Sequence, residues 1–116
     1  GIDALVRLAG PSTAKEVLFS ARRFTAGEAL ARGLVNEVVP KARLDARVRE
    51  VAAQIAENAP LTLRSVKLVI RELGRDAAAR DSSRVRDSIH ACFESDDYRE
   101  GVQAFLDKRK PVFQGR

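Results

Sequence analysis

A single strand-like segment within an otherwise helical pattern limits what this chain can fold into by itself. Residues 34–39 are rich in valine and are followed by Pro40, a pattern typical of a short strand. The other apolar patterns repeat every three or four residues, as in amphipathic helices. Because one strand cannot form a sheet, we expect its partner strands to come from residues outside this sequence or from another chain.

The helical periodicity predicts five or six helices, which makes the fold mostly α. In the later part of the chain the predicted segments are 44–58, 60–74, 76–93 and a last helix that Ser95 caps and Pro111 ends. Asp96 and Asp97 would lie in the first turn of that last helix, where the dipole favours acidic residues. We expect the tail, residues 112–116, to be loose.

Capping and turn residues divide the first part of the chain. Gly10 should close a first short helix, and Pro11 suits the first turn of the next one. Glutamate three residues after threonine, the spacing of a capping box, occurs at Thr13–Glu16 and at Thr25–Glu28. Gly33 fits the left-handed position that follows a short helix.

The composition describes one soluble domain or part of one. The sequence has 116 residues, with 21 Lys and Arg against 16 Asp and Glu, and a formal net charge of +5. Acidic residues are interleaved with basic ones, so we expect no binding to nucleic acid. No apolar run approaches the ~18 residues of a membrane span. The lone Cys92 suits a reducing cytoplasm, and the start at Gly1 suggests a fragment.

The residues offer no metal site and no catalytic nucleophile. His90 and Cys92 are two positions apart on a predicted helix, so their side chains do not face each other. No further His or Cys could complete a ligand set. Cys92 lies on the apolar side of its helix, where a thiol stays protonated and inert.

Charged groups near the end of the chain have open interpretations. Asp96 and Asp97 are adjacent, with Glu94 and Glu100 nearby, and are read as capping and dipole partners in preference to an acid–base pair. The basic run Lys108-Arg109-Lys110-Pro111 could be a solvated turn at the negative end of a helix dipole. It could also clamp the phosphate of a small anionic ligand.

Three motifs occur in a distinctive order along the chain. Residues 21–40 read ARRFTAGEALARGLVNEVVP, with a basic-aromatic turn, a threonine cap and a terminal proline. Residues 58–61 read NAPL, and the closing segments are SDDYREG at 95–101 and AFLDKRKP at 104–111. Together they resemble the C-terminal half of the crotonase superfamily, the enoyl-CoA hydratases and isomerases. The resemblance spans the whole chain.

This resemblance implies the C-terminal part of a crotonase-like ββα spiral fold. Residues 1–40 would be the last part of the spiral core, and residues 41–116 a C-terminal helical oligomerisation region. Family members form trimers through that region, and the trimers often pair as hexamers. We therefore expect a cytoplasmic homo-oligomer that binds neither nucleic acid nor membrane.

The resemblance also implies enzymatic action on acyl-CoA thioesters. In the family, two backbone amides stabilise the enolate oxygen while carboxylates move the proton. Those groups match positions upstream of Gly1, so we expect no catalytic residue in this chain, no metal and no cofactor beyond the CoA thioester substrate. Phe105 matches an aromatic residue near bound ligand, and Lys108 matches a lysine that reaches the phosphate or adenine of CoA, often in a neighbouring subunit's site.

The exact reaction stays open at this level. Ile2 and Asp3 stand where the family often has threonine and glutamine, so the parent could be a hydratase, an isomerase or a relative with altered carboxylates. The alternative function is a non-catalytic module, derived from the same family and retained for CoA binding or assembly.

Overall fold

A computed structural model describes residues 1–116, and it is mostly helical, as predicted. The α-helices are α1 (Ile2–Ser20), α2 (Ala26–Ala31), α3 (Leu44–Ala56), α4 (Pro60–Leu73), α5 (Ser82–Glu94) and α6 (Asp96–Leu106). Short 3₁₀ turns at Lys41–Arg43 and Ala77–Ala79 complete the secondary structure. The chain divides into two compact units, residues 1–47 and 48–116. None of its helices combines the length and apolarity needed to cross a bilayer.

Helix α1 consists of two helical segments that meet at Gly10. This glycine has φ 81° and ψ 162°, a conformation that residues with a Cβ rarely adopt. Pro11 then begins the second segment, where its missing N–H costs no hydrogen bond. The predicted break at Gly10 is therefore confirmed. The predicted capping box at Thr13 is wrong, because Thr13 lies inside the second segment and the Glu16 carboxylate binds Arg22 and Arg32.

Helix α2 begins with the predicted capping box. The Glu28 N–H donates to Thr25 Oγ1 at 3.2 Å, and the Thr25 N–H donates to Glu28 Oε2 at 2.8 Å. These bonds satisfy two backbone donors that a helix start leaves without partners. The helix ends as predicted at Gly33, whose φ of 71° places it in the left-handed region.

A stacked aromatic ring joins the end of α1 to α2 within the first unit. The guanidinium carbon of Arg22 lies 3.9 Å from the centre of the Phe24 ring, and that of Arg32 lies 5.3 Å from it. Glu16 accepts hydrogen bonds from both guanidinium groups, at 3.1 Å and 2.9 Å. The ring, the two cations and the carboxylate thus fix the turn that leads into the capping box.

The predicted strand at residues 34–39 is absent from this structure. After the turn at Gly33 the chain is irregular up to Pro40, and a 3₁₀ turn follows. A strand requires a neighbour that accepts and donates its backbone hydrogen bonds, and no segment of this chain supplies one. The valines of this segment stay partly exposed as a result, with Val35 at 41% and Val38 at 43%.

The carboxylate of Glu72 organises the connection between α4 and α5. It is buried and accepts hydrogen bonds from the Asp81 N–H and from Arg75, both at 3.0 Å. Asp81 in turn caps α5 by accepting a bond from the Arg84 N–H at 2.9 Å. The predicted helix at 76–93 is therefore too long at its start, because the cap at Asp81 sets the first helical residue at Ser82.

The last helix and the tail form one hydrogen-bonded arrangement. Ser95 caps α6 as predicted, since its hydroxyl accepts a bond from the Tyr98 N–H at 3.0 Å. The prediction of a loose tail is wrong. Asp97, only 3% exposed, accepts bonds from the N–H groups of Gln114 and Gly115 at 2.6 Å and 2.8 Å. Its own N–H donates to the Arg116 carbonyl at 3.1 Å.

Candidate functional site

An apolar groove runs along the helical unit formed by residues 48–116. Its volume is about 710 Å³, and side chains from α4, α5, α6 and the tail line it. Prominent lining residues are Val66, Ile70, Phe93, Val102, Phe105 and Leu106. These six side chains remain exposed to solvent over 46% to 83% of their surface. In this unit Ala104 is the only buried apolar residue. Such a continuous apolar surface is typical of a binding or docking site.

Phe105, one of the two predicted ligand-contacting residues, lies in the last turn of α6. It is 83% exposed, more than any other apolar residue that lines the groove. An aromatic ring that is held on a helix and surrounded by water offers a flat surface for stacking or for apolar contact. The structure therefore places Phe105 where a ligand or another protein segment can reach it.

Lys108, the other predicted residue, stands directly beyond α6. Its N–H donates to the Phe105 carbonyl at 3.2 Å, so the turn brings the two predicted residues together at the same helix end. The Lys108 side chain is exposed and makes no ion pair within the chain. A free ammonium group at this place can bind a phosphate or another anion.

The cations that flank Lys108 are already paired. Arg109 makes a bidentate ion pair with Glu100, with Nη1–Oε1 at 2.6 Å and Nη2–Oε2 at 2.9 Å. Lys110 pairs with Glu57 at 2.7 Å. Within the predicted basic run, Lys108 is thus the cation available for a ligand.

Sequence reasoning did not single out Glu100, which the structure places beneath the basic run. Besides Arg109, its Oε1 accepts a bond from the Val112 N–H at 2.8 Å. Arg109 and the Val112 N–H together lower the pKa of Glu100 to about 2. The only signal in the sequence was the spacing of nine residues between Glu100 and Arg109. That spacing allows an ion pair only if the chain reverses direction after α6.

The adjacent aspartates of α6 act as structural groups. Asp96 is exposed and pairs with Arg99 at 2.7 Å, one turn further along the helix. Asp97 is buried and binds the backbone of the tail. Their different partners agree with a structural role for both and give no support to an acid–base pair.

His90 and Cys92 make separate contacts. The His90 Nδ1 lies 3.0 Å from a carboxylate oxygen of Glu94, one turn along α5. The Cys92 thiol is half-buried and donates to the Ser88 carbonyl at 3.2 Å. No group of three or more side chains suited to a metal ion comes together in the structure.

Comparison with known proteins gives a consistent result. A model of the enoyl-CoA hydratase/isomerase family matches residues 1–116. Methylmalonyl-CoA decarboxylase of Escherichia coli (strain K12) is 39% identical over 117 residues, which cover 99% of this chain and 45% of that protein. Crotonyl-CoA hydratase of Syntrophomonas wolfei is 37% identical over 113 residues, or 97% of this chain and 44% of the relative. The chain thus spans a little under half the length of these curated relatives.

Solved structures give the same match in three dimensions. An enoyl-CoA hydratase/carnithine racemase from Magnetospirillum magneticum superposes with a TM-score of 0.87 at 38% identity, over 99% of this chain and 42% of that one. An enoyl-CoA hydratase from Bacillus anthracis also gives 0.87, at 32% identity, over 99% and 45% of the two chains. The membership in the enoyl-CoA hydratase/isomerase family that the sequence motifs indicated is therefore confirmed.

Proposed function

The chain belongs to the enoyl-CoA hydratase/isomerase family, and on that premise we propose that it is the C-terminal part of an enzyme that acts on acyl-CoA thioesters. The observation that carries the proposal is the family match over all 116 residues. The motif at 104–111 also contributes Phe105 and Leu106 to the lining of the apolar groove. The two curated relatives are named for a methylmalonyl and a crotonyl derivative of CoA, which supports a CoA thioester as the ligand. Addition of water to a 2-enoyl-CoA, or movement of its double bond, is the reaction class that we propose.

The catalytic groups of the complete protein lie, in this proposal, outside residues 1–116. The oxyanion-hole amides and the proton-moving carboxylates would belong to the part of the protein that precedes Gly1. Two features support this division. The chain spans less than half of its curated relatives, and residues 34–39 lack the neighbouring strands that their sequence pattern requires.

Within the chain, Phe105 and Lys108 are the proposed ligand contacts. CoA carries several phosphate charges and an adenine ring, and it presents the acyl group at its other end. The exposed Lys108 ammonium suits a phosphate, and the exposed Phe105 ring suits an aromatic or apolar part of the ligand. Because they share one turn, a single bound molecule could contact both.

The same proposal includes assembly into a cytoplasmic homo-oligomer, a trimer or a hexamer. Ile70, Phe93 and Leu106 each expose more than half of their surface, at 64%, 59% and 67%. Removing such side chains from water favours association by about 25 cal/mol per Å² of apolar surface, which offsets part of the entropy lost on binding. The missing part of the protein, a neighbouring subunit, or both would cover them.

The test uses the complete protein, with residues 1–116 in their natural context. We expect it to hydrate or isomerise a 2-enoyl-CoA. A complete protein that neither binds nor converts any acyl-CoA would contradict the proposal. Binding without turnover would instead support the non-catalytic CoA-binding alternative.

A pair of lysine variants tests the proposed contact. Lys108→Ala should weaken CoA binding roughly tenfold, since a hydrogen bond to a charged group contributes about 1.5–3 kcal/mol. Lys110→Ala is the matched control. It removes the same charge two residues further along the chain, where the Lys110 ammonium is already paired with Glu57. Equal effects of the two variants would argue against a direct contact by Lys108.

A further inference from the structure

Lys108 occupies a backbone position that normally belongs to glycine. Helix α6 ends in a Schellman motif, in which the Arg109 N–H donates to the Ala104 carbonyl at 3.0 Å and the Lys108 N–H to the Phe105 carbonyl at 3.2 Å. In this motif the first residue after the C-cap adopts a left-handed backbone conformation. In α6 that residue is Lys108, with φ 54°. Side chains with a Cβ disfavour this region, so the surrounding contacts must hold Lys108 there.

Glu100 supplies those contacts from one side of α6. Its carboxylate binds both guanidinium Nη atoms of Arg109, the residue that follows Lys108. The same carboxylate accepts the N–H of Val112, four residues beyond Lys108. One acidic side chain therefore fastens the chain at two points immediately after the strained turn. Lys108 itself does not take part in these bonds.

We propose that Glu100 is a positioning residue, which holds the Lys108 turn in its left-handed conformation and so aims the Lys108 ammonium at a phosphate of CoA. This inference rests on the proposed function of Lys108 and adds a second residue to it. Without the Glu100–Arg109 pair, the turn would relax toward conformations that a lysine prefers. The ammonium group would then spend less time where a phosphate binds.

Because Glu100 is negatively charged, the direction in which Glu100→Gln changes the affinity for CoA tests the proposal. Replacing a glutamate near an anion site with glutamine removes a repulsive negative charge, which by itself strengthens anion binding. A positioning role predicts the opposite result, because the weakened grip on Arg109 and Val112 frees the turn. The direction of the change in affinity therefore separates the two effects.

The experiment measures the dissociation constant of CoA by calorimetry, using the complete protein. Glu100→Gln should weaken CoA binding about fivefold or more, a loss that corresponds to about 1 kcal/mol. Arg109→Lys keeps the positive charge but loses the two-pronged geometry, so it should weaken binding in the same direction. It is also the second test if Glu100→Gln folds poorly, as judged by circular dichroism.

Two further measurements separate positioning from a general loss of structure. A pantetheine thioester keeps the pantetheine arm of CoA but lacks the nucleotide phosphates, and its affinity should not change in Glu100→Gln. In a double-mutant cycle, Glu100→Gln should have little further effect on CoA affinity once Lys108→Ala is present. Unchanged or tighter CoA binding, an equal loss for the pantetheine thioester, or full additivity in the cycle would each overturn the proposal.

The CoA affinity of Lys108→Ala separates the positioning role of Glu100 from the proposed contact between Lys108 and CoA. If that variant binds CoA like the wild type, the proposed contact of Lys108 fails and the positioning role of Glu100 fails with it. If Lys108→Ala binds weakly while Glu100→Gln and Arg109→Lys bind normally, only the positioning role is overturned.

Discussion

The buried carboxylate of Asp97 holds the backbone N–H of Gly115 at 2.8 Å, across 18 residues of sequence. A second bond to the Gln114 N–H, at 2.6 Å, joins the other oxygen of the same carboxylate to the tail. These contacts turn a segment without secondary structure into a fixed part of the helical unit. They also place Phe113, the residue that precedes Gln114, at the groove.

Asp97→Ala should release the tail without unfolding α6. A buried hydrogen-bonding group that loses its partner costs about 1–3 kcal/mol, so protection of the Gln114 and Gly115 amides should fall roughly tenfold or more. Hydrogen exchange measured residue by residue provides the test. Asp96→Ala is the matched control, because Asp96 is exposed and binds only Arg99. Unchanged exchange in the tail after Asp97→Ala would contradict this account.

Thr25→Ala should lower the free energy of unfolding by about 1 kcal/mol, the usual value for a lost N-cap. The substitution removes the hydroxyl that accepts the Glu28 N–H, while the surface of α2 stays the same. Thr13→Ala is the matched control, since Thr13 lies inside α1 and caps nothing. Urea denaturation compares the two variants. A larger loss in Thr13→Ala than in Thr25→Ala would show that the capping assignment is wrong.

Local signals in the sequence predicted the parts of the fold that depend on local bonds. The caps at Thr25 and Ser95 and the turn at Gly33 involve groups three or four residues apart, and the structure confirms all three. The capping box at Thr13 failed for a local reason too. Gly10 and Pro11 start the helical segment earlier, which leaves Thr13 in its interior.

Contacts between distant residues could not be predicted in the same way. The connection from α4 to α5 depends on Glu72, whose carboxylate accepts the Asp81 N–H nine residues later and so fixes the residue that caps α5. The tail depends on Asp97 across a still longer separation. The strand at 34–39 was predicted from its valines, but a strand exists only when a partner is present.

The candidate site shows the same division. Motif resemblance predicted Phe105 and Lys108 as ligand contacts, which stays a prediction; the structure adds that both lie at the same helix end. The contacts of Glu100 with the basic run were missed, because its relation to Arg109 and Val112 arises only when the chain reverses direction after α6.

Acid should weaken the first unit of the fold through Glu28. Bonds from the Thr25 backbone, and then from Arg22, lower the pKa of Glu28 to about 2, from an ordinary value of 4.5. The folded protein therefore binds fewer protons than the unfolded chain between pH 4.5 and 2. Since the folded pKa is the lower one, this contribution to stability is present above pH 4.5 and is lost as the pH falls toward 2.

Glu28→Gln should therefore flatten the dependence of the melting temperature on pH within that window. Above it, the variant should show a constant loss of stability, because glutamine cannot form the charged bonds with Arg22 and the Thr25 N–H. Thermal unfolding followed by circular dichroism at a series of pH values provides the measurement. An identical pH dependence in the wild type and in Glu28→Gln would refute the assigned role.

Gly101 lies where the tail crosses α6, and the size of its side chain should decide how the tail packs. A Cβ added at Gly101 would lie 3.6 Å from the Phe113 ring, an ordinary van der Waals distance. Gly101→Ala should therefore keep the contact and stabilise α6 by up to about 1 kcal/mol, the difference in helix propensity between the two residues. The longer side chain of Gly101→Leu would extend into the space that the Phe113 ring occupies. This variant should therefore displace Phe113, lower the free energy of unfolding and speed amide exchange at Gln114. Urea denaturation and hydrogen exchange on both variants give the comparison, and a stabilised Gly101→Leu with a protected tail would show that Phe113 does not pack on α6 in solution.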